Sequence, residues 1–517
     1  MRRYLFDSKK LNNSNIFDYD VVVVGSGIAG LYAALHLDSN MQCAVITKAN
    51  ISESNSYLAQ GGIAAVLTED DTYIAHIEDT LRAGAGLCDP EAVRVLVEEG
   101  PENIMTLIDM KIPFDVNSEG DLHITREGGH RVRRIVHCGG DATGKETTKQ
   151  LGRLAFKKEN LHFFMESYLI DILTNEEGVC GVICQDGDEI KILRTSNVIL
   201  ATGGCGQVYK YTTNPKGSVG DGIAAAYRAG AKIHNMEMVQ FHPTTLISPQ
   251  KTDRLFLISE AVRGEGAILK NSDGVAFMKG KHEMADLAPR DIVTREILKE
   301  LSRTETDRAF LDCSSMTKEF FSQRFPTIFK ECAERGINIP EDMIPIHPAQ
   351  HYLMGGVKTN LDGMTEIDGL YCCGEAAESG IHGGNRLASN SVLECLVFGR
   401  RAARSINASK REKREIYLPV TLETDYYDTI NEEKLDEFFT LIKKTMSKYV
   451  GAVRTPSGLN MAYTTIKEIY DILETARLSN PYEYKIFNMC QVSLMIIEAA
   501  IERKESIGAH YILEETI

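Results

Sequence analysis

Residues 18–30 read Asp-Tyr-Asp-Val-Val-Val-Val-Gly-Ser-Gly-Ile-Ala-Gly, and this stretch decides the fold of the chain. The run of valines at 21–24 predicts a strand that is buried on both faces. Gly25, Gly27 and Gly30 follow it at the start of a predicted helix. At such a junction a tight turn, a close approach of a pyrophosphate and close helix packing each need a residue without a side chain. The stretch therefore predicts a dinucleotide-binding unit near the N-terminus.

Composition restricts the class of protein. The chain has 517 residues, 43% of them hydrophobic and 25% charged, which is typical of a soluble globular protein with two to four domains. Its net charge of −16 argues against a nucleic-acid partner. We find no apolar run that predicts a membrane span and no signal-peptide pattern at the start. Twelve cysteines without a Cys-x-x-Cys pair predict reduced thiols, no metal site and a cytoplasmic location.

The residue after the second predicted strand, 43–47, bears on the identity of the nucleotide. An acidic residue is expected there in an NAD site, but Lys48 occupies the position. Two alternatives stay open on this basis, an NADP site and a flavin nucleotide held differently. A further buried strand is predicted within 197–206, and its ending, Ala-Thr-Gly-Gly at 201–204, resembles that of FAD-binding folds.

The chain divides into four predicted parts. Glycine-rich α/β segments at 1–233 and 351–408 are expected to form one discontinuous, Rossmann-like nucleotide domain. In residues 234–350 the glycine loops give way to charged helices, predicted at 290–302 and 318–335. We interpret this segment as an inserted α+β domain. A polar linker at 409–421 precedes a predicted domain of three amphipathic helices at 422–517.

Four loops present a cation or an imidazole. They contain His242 before a proline, Arg290 in a predicted first helical turn, His351, and Arg386 after a glycine pair. A cation at a helix N-terminus is electrostatically unfavourable and needs an anionic partner, for which Asp286 or Asp291 is the simplest candidate. Because arginine forks bind carboxylates bidentately, the set as a whole predicts a clamp for a dicarboxylate.

Several motifs identify a family. They are Gly-Ser-Gly-Ile-Ala-Gly at 25–30, Ala-Gln-Gly-Gly at 59–62, Ala-Thr-Gly-Gly at 201–204, Phe-His-Pro-Thr at 241–244, Arg-Gly-Glu-Gly at 263–266, Pro-Arg-Asp at 289–291, His-Tyr at 351–352 and His-Gly-Gly-Asn-Arg-Leu-Ala-Ser-Asn-Ser at 382–391. With them the sequence resembles the flavoprotein subunit family of fumarate reductase and succinate dehydrogenase, and within it the branch that oxidises L-aspartate. The resemblance covers nearly the whole chain and implies that the inserted domain caps an FAD site.

Two positions distinguish the branches of the family. Asn55 stands where members in membrane complexes carry a histidine that binds FAD covalently, so the resemblance implies non-covalent FAD. Glu127 matches the branch that oxidises L-aspartate. A carboxylate there would repel succinate but attract a substrate that also carries an ammonium group. Gln350 and Ile507 depart from the family pattern, where a small residue and an arginine are usual.

The resemblance implies roles for individual residues. Arg290 would transfer a proton, and Glu127, His242, Ser259, His351 and Arg386 would bind substrate. The implied cofactor-binding residues are Gly25, Ser26, Gly27, Ile28, Gly30, Lys48, Ser54, Asn55, Ser56, Gln60, Gly61, Gly62, Asp221, Glu375, Ser391 and Val392.

The implied reaction is oxidation of L-aspartate to iminoaspartate, with oxygen or fumarate reoxidising the flavin. The product would pass to quinolinate synthase at the start of NAD biosynthesis. The alternatives are a soluble fumarate reductase, a succinate dehydrogenase-type flavoprotein that docks an iron–sulfur partner, and a flavin-binding protein without turnover.

Overall fold

The computed structural model describes residues 2–6, 15–247, 253–409, 411–416 and 429–514. The helices in these ranges are α1 Ile28–Leu35, α2 Asn55–Leu58, α3 Tyr73–Ala83, α4 Pro90–Asp109, α5 Thr143–Ala155, α6 Asp221–Ala229, α7 Glu260–Gly264, α8 Arg290–Thr304, α9 Lys318–Arg324, α10 Pro326–Glu334, α11 Asn390–Ala408, α12 Glu432–Tyr449, α13 Pro456–Thr475 and α14 Pro481–Glu502. The strands are β1 Ile16–Asp18, β2 Val21–Val24, β3 Cys43–Ile46, β4 Ile63–Ala64, β5 Ile124–Thr125, β6 Ile135–Val136, β7 Leu161–Phe164, β8 Ser167–Asn175, β9 Gly178–Asp186, β10 Glu189–Arg194, β11 Val198–Leu200, β12 Ile233–His234, β13 Val239–Leu246, β14 Phe256–Leu257, β15 Ile268–Lys270, β16 Ala309–Asp312, β17 Ile344–Leu353, β18 Gly356–Lys358, β19 Leu370–Cys372 and β20 Ala377–Glu378.

The valine strand β2 lies at the centre of a parallel sheet with the strand order β19-β11-β2-β3-β7. All four valines are buried, as the sequence predicts. Val21 and Val23 belong to a core shared with α1, α4 and α11, whereas Val22 and Val24 belong to a core shared with β8, β9 and the C-terminal helices. The strand therefore joins two hydrophobic layers, and the predicted α/β fold class is confirmed.

The turn after β2 accepts only glycine at two positions. Gly25 has a φ of +116°, and a Cβ on it would lie 2.1 Å from the carbonyl oxygen of Ala201. A Cβ on Gly30 would lie 2.0 Å from the carbonyl oxygen of Gly25 itself. These contacts are with backbone, which cannot move aside as a flexible side chain can. The close packing of α1 on the ends of β2 and β11 thus depends on both glycines.

The inserted segment forms its own layer. Its antiparallel sheet has the order β14-β13-β17-β16-β15, and α7 to α10 share a separate hydrophobic core with it. Strand β17 continues past residue 350, the predicted end of this segment, to Leu353. The strand carries His351 from the inserted sheet toward the nucleotide domain. Residues 248–252 of the predicted segment lie outside the described residues.

Two sequence predictions are wrong in detail. The helix predicted at 318–335 is two helices, α9 and α10, separated at Phe325. Pro326 has no amide hydrogen to continue the first helix, but it suits the first turn of the next one. The strand predicted within 197–206 is limited to Val198–Leu200, and the next three residues, 201–203, line a cavity instead.

The C-terminal helices α12 to α14 belong to the same hydrophobic core as β8 to β10 and α6. Helix α14 is long and apolar enough to cross a membrane by length and composition, but most of its apolar stretch is buried in this core. Of the predicted linker, 411–416 contain no helix or strand, whereas 410 and 417–421 lie outside the described residues. Residues 1 and 7–14 of the predicted nucleotide domain, and 422–428 and 515–517 of the predicted C-terminal domain, also lie outside them.

The glycine turn generates a stability prediction. Gly25→Ala forces a Cβ into backbone at a positive φ, so we expect a loss of more than about 2 kcal/mol in the free energy of unfolding. Gly187→Ala is the matched control, since Gly187 also has a positive φ, +59°, but has no atom within 4 Å of the added Cβ. It should cost about 1 kcal/mol. Urea unfolding checks both values, and equal losses would contradict the steric argument.

Candidate active site

A cavity of about 490 Å³ lies at the carboxyl ends of the parallel strands β2, β3 and β11. This edge of the sheet is where open α/β folds bind ligands. The cavity extends to the inserted layer, which contributes His242, Ser259 and Arg290 to its wall. The predicted substrate residues and most of the predicted nucleotide residues therefore line one continuous space.

Most of the predicted cofactor residues line this cavity. Those that do so are Gly25, Ser26, Gly27, Lys48, Ser54, Asn55, Ser56, Gln60, Gly61, Gly62, Asp221, Glu375, Ser391 and Val392. Ile28 and Gly30 do not line it. The Ile28 side chain is in the core, and its amide donates to Ser56 Oγ at 3.0 Å. Gly30 serves the packing of α1, as described above.

The glycine turn fits a dinucleotide pyrophosphate. Gly27 is the N-cap of α1 and offers no side chain to cap the helix, so the first-turn amides that follow Ile28 can face an anion, while the Ile28 amide donates to Ser56. Gln60 Oε1 and Thr202 Oγ1 are buried without a hydrogen-bond partner, and both residues line the cavity. Polar atoms left unpaired in this way are those that a bound polar molecule satisfies.

Lys48 and Asp221 form an ion pair at one side of the cavity. The Asp221 carboxylate also accepts a hydrogen bond from the Tyr168 hydroxyl and one of 3.1 Å from Asn488 Nδ2. Asn488 lies on α14, so the C-terminal helices help to fix this edge of the site. Lys48, which replaces the acidic residue expected in an NAD site, is thus held by Asp221, an acidic residue from another element.

Asn55 lies beside Glu375 in the same cavity. Its Nδ2 donates to Glu375 Oε2 at 3.2 Å, and Glu375 Oε1 accepts the Leu353 amide at 3.1 Å. Burial raises the pKa of Glu375 to about 7. The side-chain amide of Asn55 is therefore hydrogen-bonded to the carboxyl group of Glu375.

Two arginines converge on one buried glutamine. Arg290 Nη1 donates to Gln240 Oε1 at 2.9 Å, and Arg386 Nε donates to the same oxygen at 3.3 Å. Gln240 Nε2 donates in turn to Asn385 Oδ1 and to the Arg386 carbonyl, each at 2.9 Å. Gln240 is not among the residues predicted from the sequence. The signal was available, because Gln240 and His242 share one face of a strand.

The anionic partner of Arg290 is Glu260. Arg290 Nε donates to Glu260 Oε2 at 2.8 Å, while Arg263 Nη2 lies 3.2 Å from Oε1. Burial alone would raise the pKa of Glu260, but the Arg290 and Arg263 charges outweigh it and hold the pKa below its usual value. The simpler candidates are not the partners. Asp291 pairs with Arg295, and Asp286 accepts from Arg263 through its carbonyl.

The two predicted histidines face each other with ring centroids 5.3 Å apart. His242 Nδ1 is held by the Thr244 backbone, and its Nε2 is buried without a partner. His351 Nδ1 is 2.8 Å from Thr213 Oγ1. Burial, reinforced by the nearby arginines, lowers the pKa of both rings well below 6.5. Both imidazoles are therefore neutral hydrogen-bonding groups at physiological pH.

Glu127 lies on the wall of the same cavity without a cation beside it. Its Oε1 accepts the Gly62 amide at 3.3 Å, and its Oε2 accepts from Ser389 Oγ at 2.5 Å. His137 Nε2 is 3.9 Å away, but burial lowers the pKa of His137 to about 3, so this ring is neutral. Within the described part of the chain, no lysine or arginine forms an ion pair with Glu127. The site thus combines arginines with a separate carboxylate.

Comparisons with known proteins agree with this geometry. The family model described as "FAD binding domain" matches residues 20–392, and the one described as "Fumarate reductase flavoprotein C-term" matches 440–515. The chain is 42% identical over 510 residues to L-aspartate oxidase 1 of Ralstonia nicotianae, covering 96% of this chain and 95% of that protein. The chain belongs to the L-aspartate oxidase family of FAD-binding flavoproteins. The predicted family and the predicted FAD cofactor are therefore confirmed.

Further relatives extend the comparison. L-aspartate oxidase of Streptomyces coelicolor is 41% identical, over 95% of this chain and 88% of its own. Among solved structures, an E. coli quinol fumarate reductase has a TM-score of 0.88 at 28% identity, covering 97% of this chain and 92% of that one. Mycobacterium smegmatis Sdh1 in complex with UQ1 has a TM-score of 0.83 at 29% identity, with 96% and 89% coverage. The chain therefore shares its architecture with a quinol fumarate reductase subunit and with Sdh1.

The neutral buried histidines generate a prediction for pH dependence. Burial lowers the pKa of His76 and of His137 to about 3, against about 6.5 in an unfolded chain. Their contribution to stability is fully present above pH 6.5 and is lost as pH falls toward 3, at up to about 1.4 kcal/mol per pH unit for each ring. We therefore expect the urea midpoint to fall between pH 7 and pH 5, and to fall less in His137→Phe.

The control for this prediction is His162→Phe. His162 is exposed, and its ring bonds to Gln42 and packs beside Tyr19 at the surface. This variant should keep the full pH dependence of the wild type. An unchanged pH dependence in His137→Phe would show that His137 is not held neutral by the fold.

Proposed function

We propose that this protein catalyses the FAD-dependent oxidation of L-aspartate to iminoaspartate. One observation carries the proposal, namely that the arginine pair at Gln240 and the uncompensated Glu127 carboxylate line the same cavity. L-aspartate carries two carboxylates and one ammonium group, and the cavity offers groups of opposite charge for both. The names of the relatives support the same reaction.

The positive part of the site would bind the carboxylates. Arg386 and Arg290 offer guanidinium donors, and the unpartnered Nε2 of His242 offers a neutral contact. His351 and the Ser259 hydroxyl line the cavity beside them. Glu127 would take the ammonium group, since a charge-assisted hydrogen bond to a buried carboxylate is stronger than a neutral one. A dicarboxylate without an amine would leave Glu127 unpaired, which supports a preference for L-aspartate over succinate.

Bound FAD supplies the acceptor for the hydride that leaves the substrate α-carbon. The chain supplies a proton path, because Arg290, Glu260 and Arg263 form a continuous hydrogen-bonded series that ends at the Asp286 carbonyl. Arginine remains protonated in proteins, so Arg290 suits the role of proton donor to fumarate when fumarate reoxidises the flavin. In aspartate oxidation, Arg290 would orient the substrate carboxylate, and Glu260 keeps that guanidinium in place. The proton that the ammonium group loses as the imine forms would pass to the Glu127 carboxylate that contacts it.

A soluble fumarate reductase is the second candidate, supported by the TM-score of 0.88 to a quinol fumarate reductase. Fumarate has both carboxylates but no amine, so Glu127 would hinder rather than help it. A succinate dehydrogenase-type subunit with covalent FAD is less well supported, because Asn55 supplies an amide that is already bonded to Glu375. We propose non-covalent FAD for the same reason.

Oxygen or fumarate would serve as electron acceptor, and the iminoaspartate would be consumed by quinolinate synthase. The chemistry of the product supports such coupling, since an imine hydrolyses in water unless it is used. A cytoplasmic location is supported by twelve free cysteines, almost all of them buried.

The proposed reaction is tested with the FAD-loaded protein under anaerobic conditions. L-aspartate should bleach the flavin absorbance, and fumarate or oxygen should restore it. Succinate, tested at the same concentration, should bleach it little or not at all. Bleaching by succinate but not by L-aspartate would instead support the reductase family members, and loss of flavin on acid precipitation would confirm that it is not covalently bound.

Glu127→Gln tests the role of the uncompensated carboxylate. The amide keeps the size of the side chain but removes its charge, so kcat/KM for L-aspartate should fall by roughly 10- to 100-fold. Fumarate reduction, measured by reoxidation of the chemically reduced protein, should stay the same or improve. Glu119→Gln, an exposed carboxyl on a neighbouring loop, is the control and should change neither rate. Equal losses with both substrates would contradict charge recognition of the amine.

A further inference from the structure

A buried ionic network lies behind Glu127 and takes no direct part in the proposed reaction. At its centre is Arg134, whose side chain is fully buried. Its Nε and Nη2 each donate to the Asp71 carboxylate at 2.8 Å, and its Nη1 donates to Asp79 at 2.8 Å. Nη1 also lies 3.1 Å from His130 Nδ1. Burying charged groups costs free energy, so a buried ionic network beside the cavity is expected to have a functional role.

The contact with Arg134 fixes the tautomer of His130. A guanidinium can only donate, so His130 Nδ1 must accept, and the ring hydrogen must be on Nε2. That nitrogen is 2.9 Å from the carbonyl oxygen of Ala388, to which it donates. The main cause that lowers the pKa of His130 is burial, and the Arg134 charge acts in the same direction. The network therefore delivers one oriented N–H group to the backbone just before Ser389.

Ser389 has an unusual backbone. Its φ is +62°, in the left-handed region that side chains other than glycine rarely adopt. Bonds on both sides hold it there: the Ala388 carbonyl accepts from His130, and the Asn390 side chain bonds to His76 at 2.9 Å and to Thr80 at 3.0 Å. The Ser389 carbonyl itself accepts the Ala64 amide at 3.1 Å. In this conformation Ser389 Oγ donates to Glu127 Oε2.

His130 also fixes Glu127 from its own side. The two residues close one turn, in which the His130 amide donates to the Glu127 carbonyl at 3.3 Å. Gly62 and Ser389 occupy one lone pair on each carboxylate oxygen. The remaining lone pairs are left for the cavity that Glu127 lines. The direction of the carboxylate is therefore set by His130 through both the turn and Ser389.

We propose that His130, oriented by Arg134, is a positioning residue for recognition of the substrate amine, and that Ser389 is the specificity residue through which it acts on Glu127. This inference rests on the proposed function, since it concerns the amine of L-aspartate. His130 bonds to the Glu127 backbone, and among the described residues no hydrogen bond of His130 or Arg134 reaches Arg290, Arg386 or Gln240. Its disturbance should therefore weaken the binding of an amino dicarboxylate without affecting a dicarboxylate that lacks an amine.

The test uses the FAD-loaded protein in two half-reactions. Stopped-flow reduction by L-aspartate and reoxidation of the chemically reduced protein by fumarate each give an apparent dissociation constant. Ser389→Ala keeps the strain at this φ but removes the hydroxyl, and His130→Phe removes the donor to Ala388. Both should raise the constant for L-aspartate by about 10-fold or more, and that for fumarate by less than about threefold. His130→Gln, whose amide can still donate, should recover most of the loss.

Ser405→Ala is the matched control, because Ser405 lies on α11, the helix that Ser389 precedes as its N-cap, and its hydroxyl bonds to that of Tyr371, away from the cavity. It should leave both constants unchanged. A double-mutant cycle keeps the test independent of whether His130→Phe folds: in the Glu127→Gln background, Ser389→Ala should add less than about twofold for L-aspartate. Equal changes for both substrates, or full additivity in the cycle, would overturn the inference. Failure of the wild type to react with L-aspartate would overturn the proposed function as well.

Discussion

Two buried guanidinium groups bonded to one amide oxygen are the constraint on which the rest of the site depends. The Arg290 and Arg386 nitrogens that share Gln240 Oε1 lie within about 6 Å of each other. Like charges at that separation repel by about 3 kcal/mol at an effective dielectric constant of about 20. Burial, with the Arg290 charge, lowers the pKa of Arg386 to about 10. Glu260 offsets part of this charge, and a dianionic substrate would offset the rest.

The arginine pair also explains why the chain is arranged as a split domain with an insertion. Gln240 and Arg290 come from the inserted segment, whereas Arg386 and Glu127 come from the nucleotide domain. Neither the inserted segment nor the nucleotide domain contains both arginines, so neither could form the arginine pair alone. A second contact joins the inserted segment to the nucleotide domain. Asp141 of the nucleotide domain accepts hydrogen bonds from Thr327 and Ile328 at the start of α10. An acid at a helix N-terminus is a favourable partner for that helix.

The sequence predicted those features that are local or that depend on a motif. The buried valine strand and its glycine turn follow from residue type and spacing alone, and the cavity contains Glu127, His242, Ser259, His351, Arg290 and Arg386 as the family motifs imply. Contacts between distant segments could not be predicted in this way. Glu260 is 30 residues from Arg290 in the sequence, and only the fold brings the two side chains together. From the sequence alone, the neighbouring aspartates are the simpler candidates for the anionic partner of Arg290. The role of Ser389 was not predicted because its conformation depends on distant contacts of its two neighbours, those of Ala388 with His130 and of Asn390 with His76 and Thr80.

The same reasoning explains why Glu127 is stabilised by neutral donors. A buried carboxylate needs hydrogen bonds, and an arginine would supply strong ones. An arginine partner would, however, cancel the charge that attracts an ammonium group. A backbone amide and a serine hydroxyl satisfy part of the carboxylate and leave its charge in place. Arg131 and Arg134, which follow Glu127 in the chain, are instead paired with Asp79 and Asp71. Among the described residues Glu127 thus has no lysine or arginine partner, whereas two guanidinium groups meet at Gln240. A substrate that carries an ammonium group and two carboxylates is therefore favoured over one with carboxylates alone.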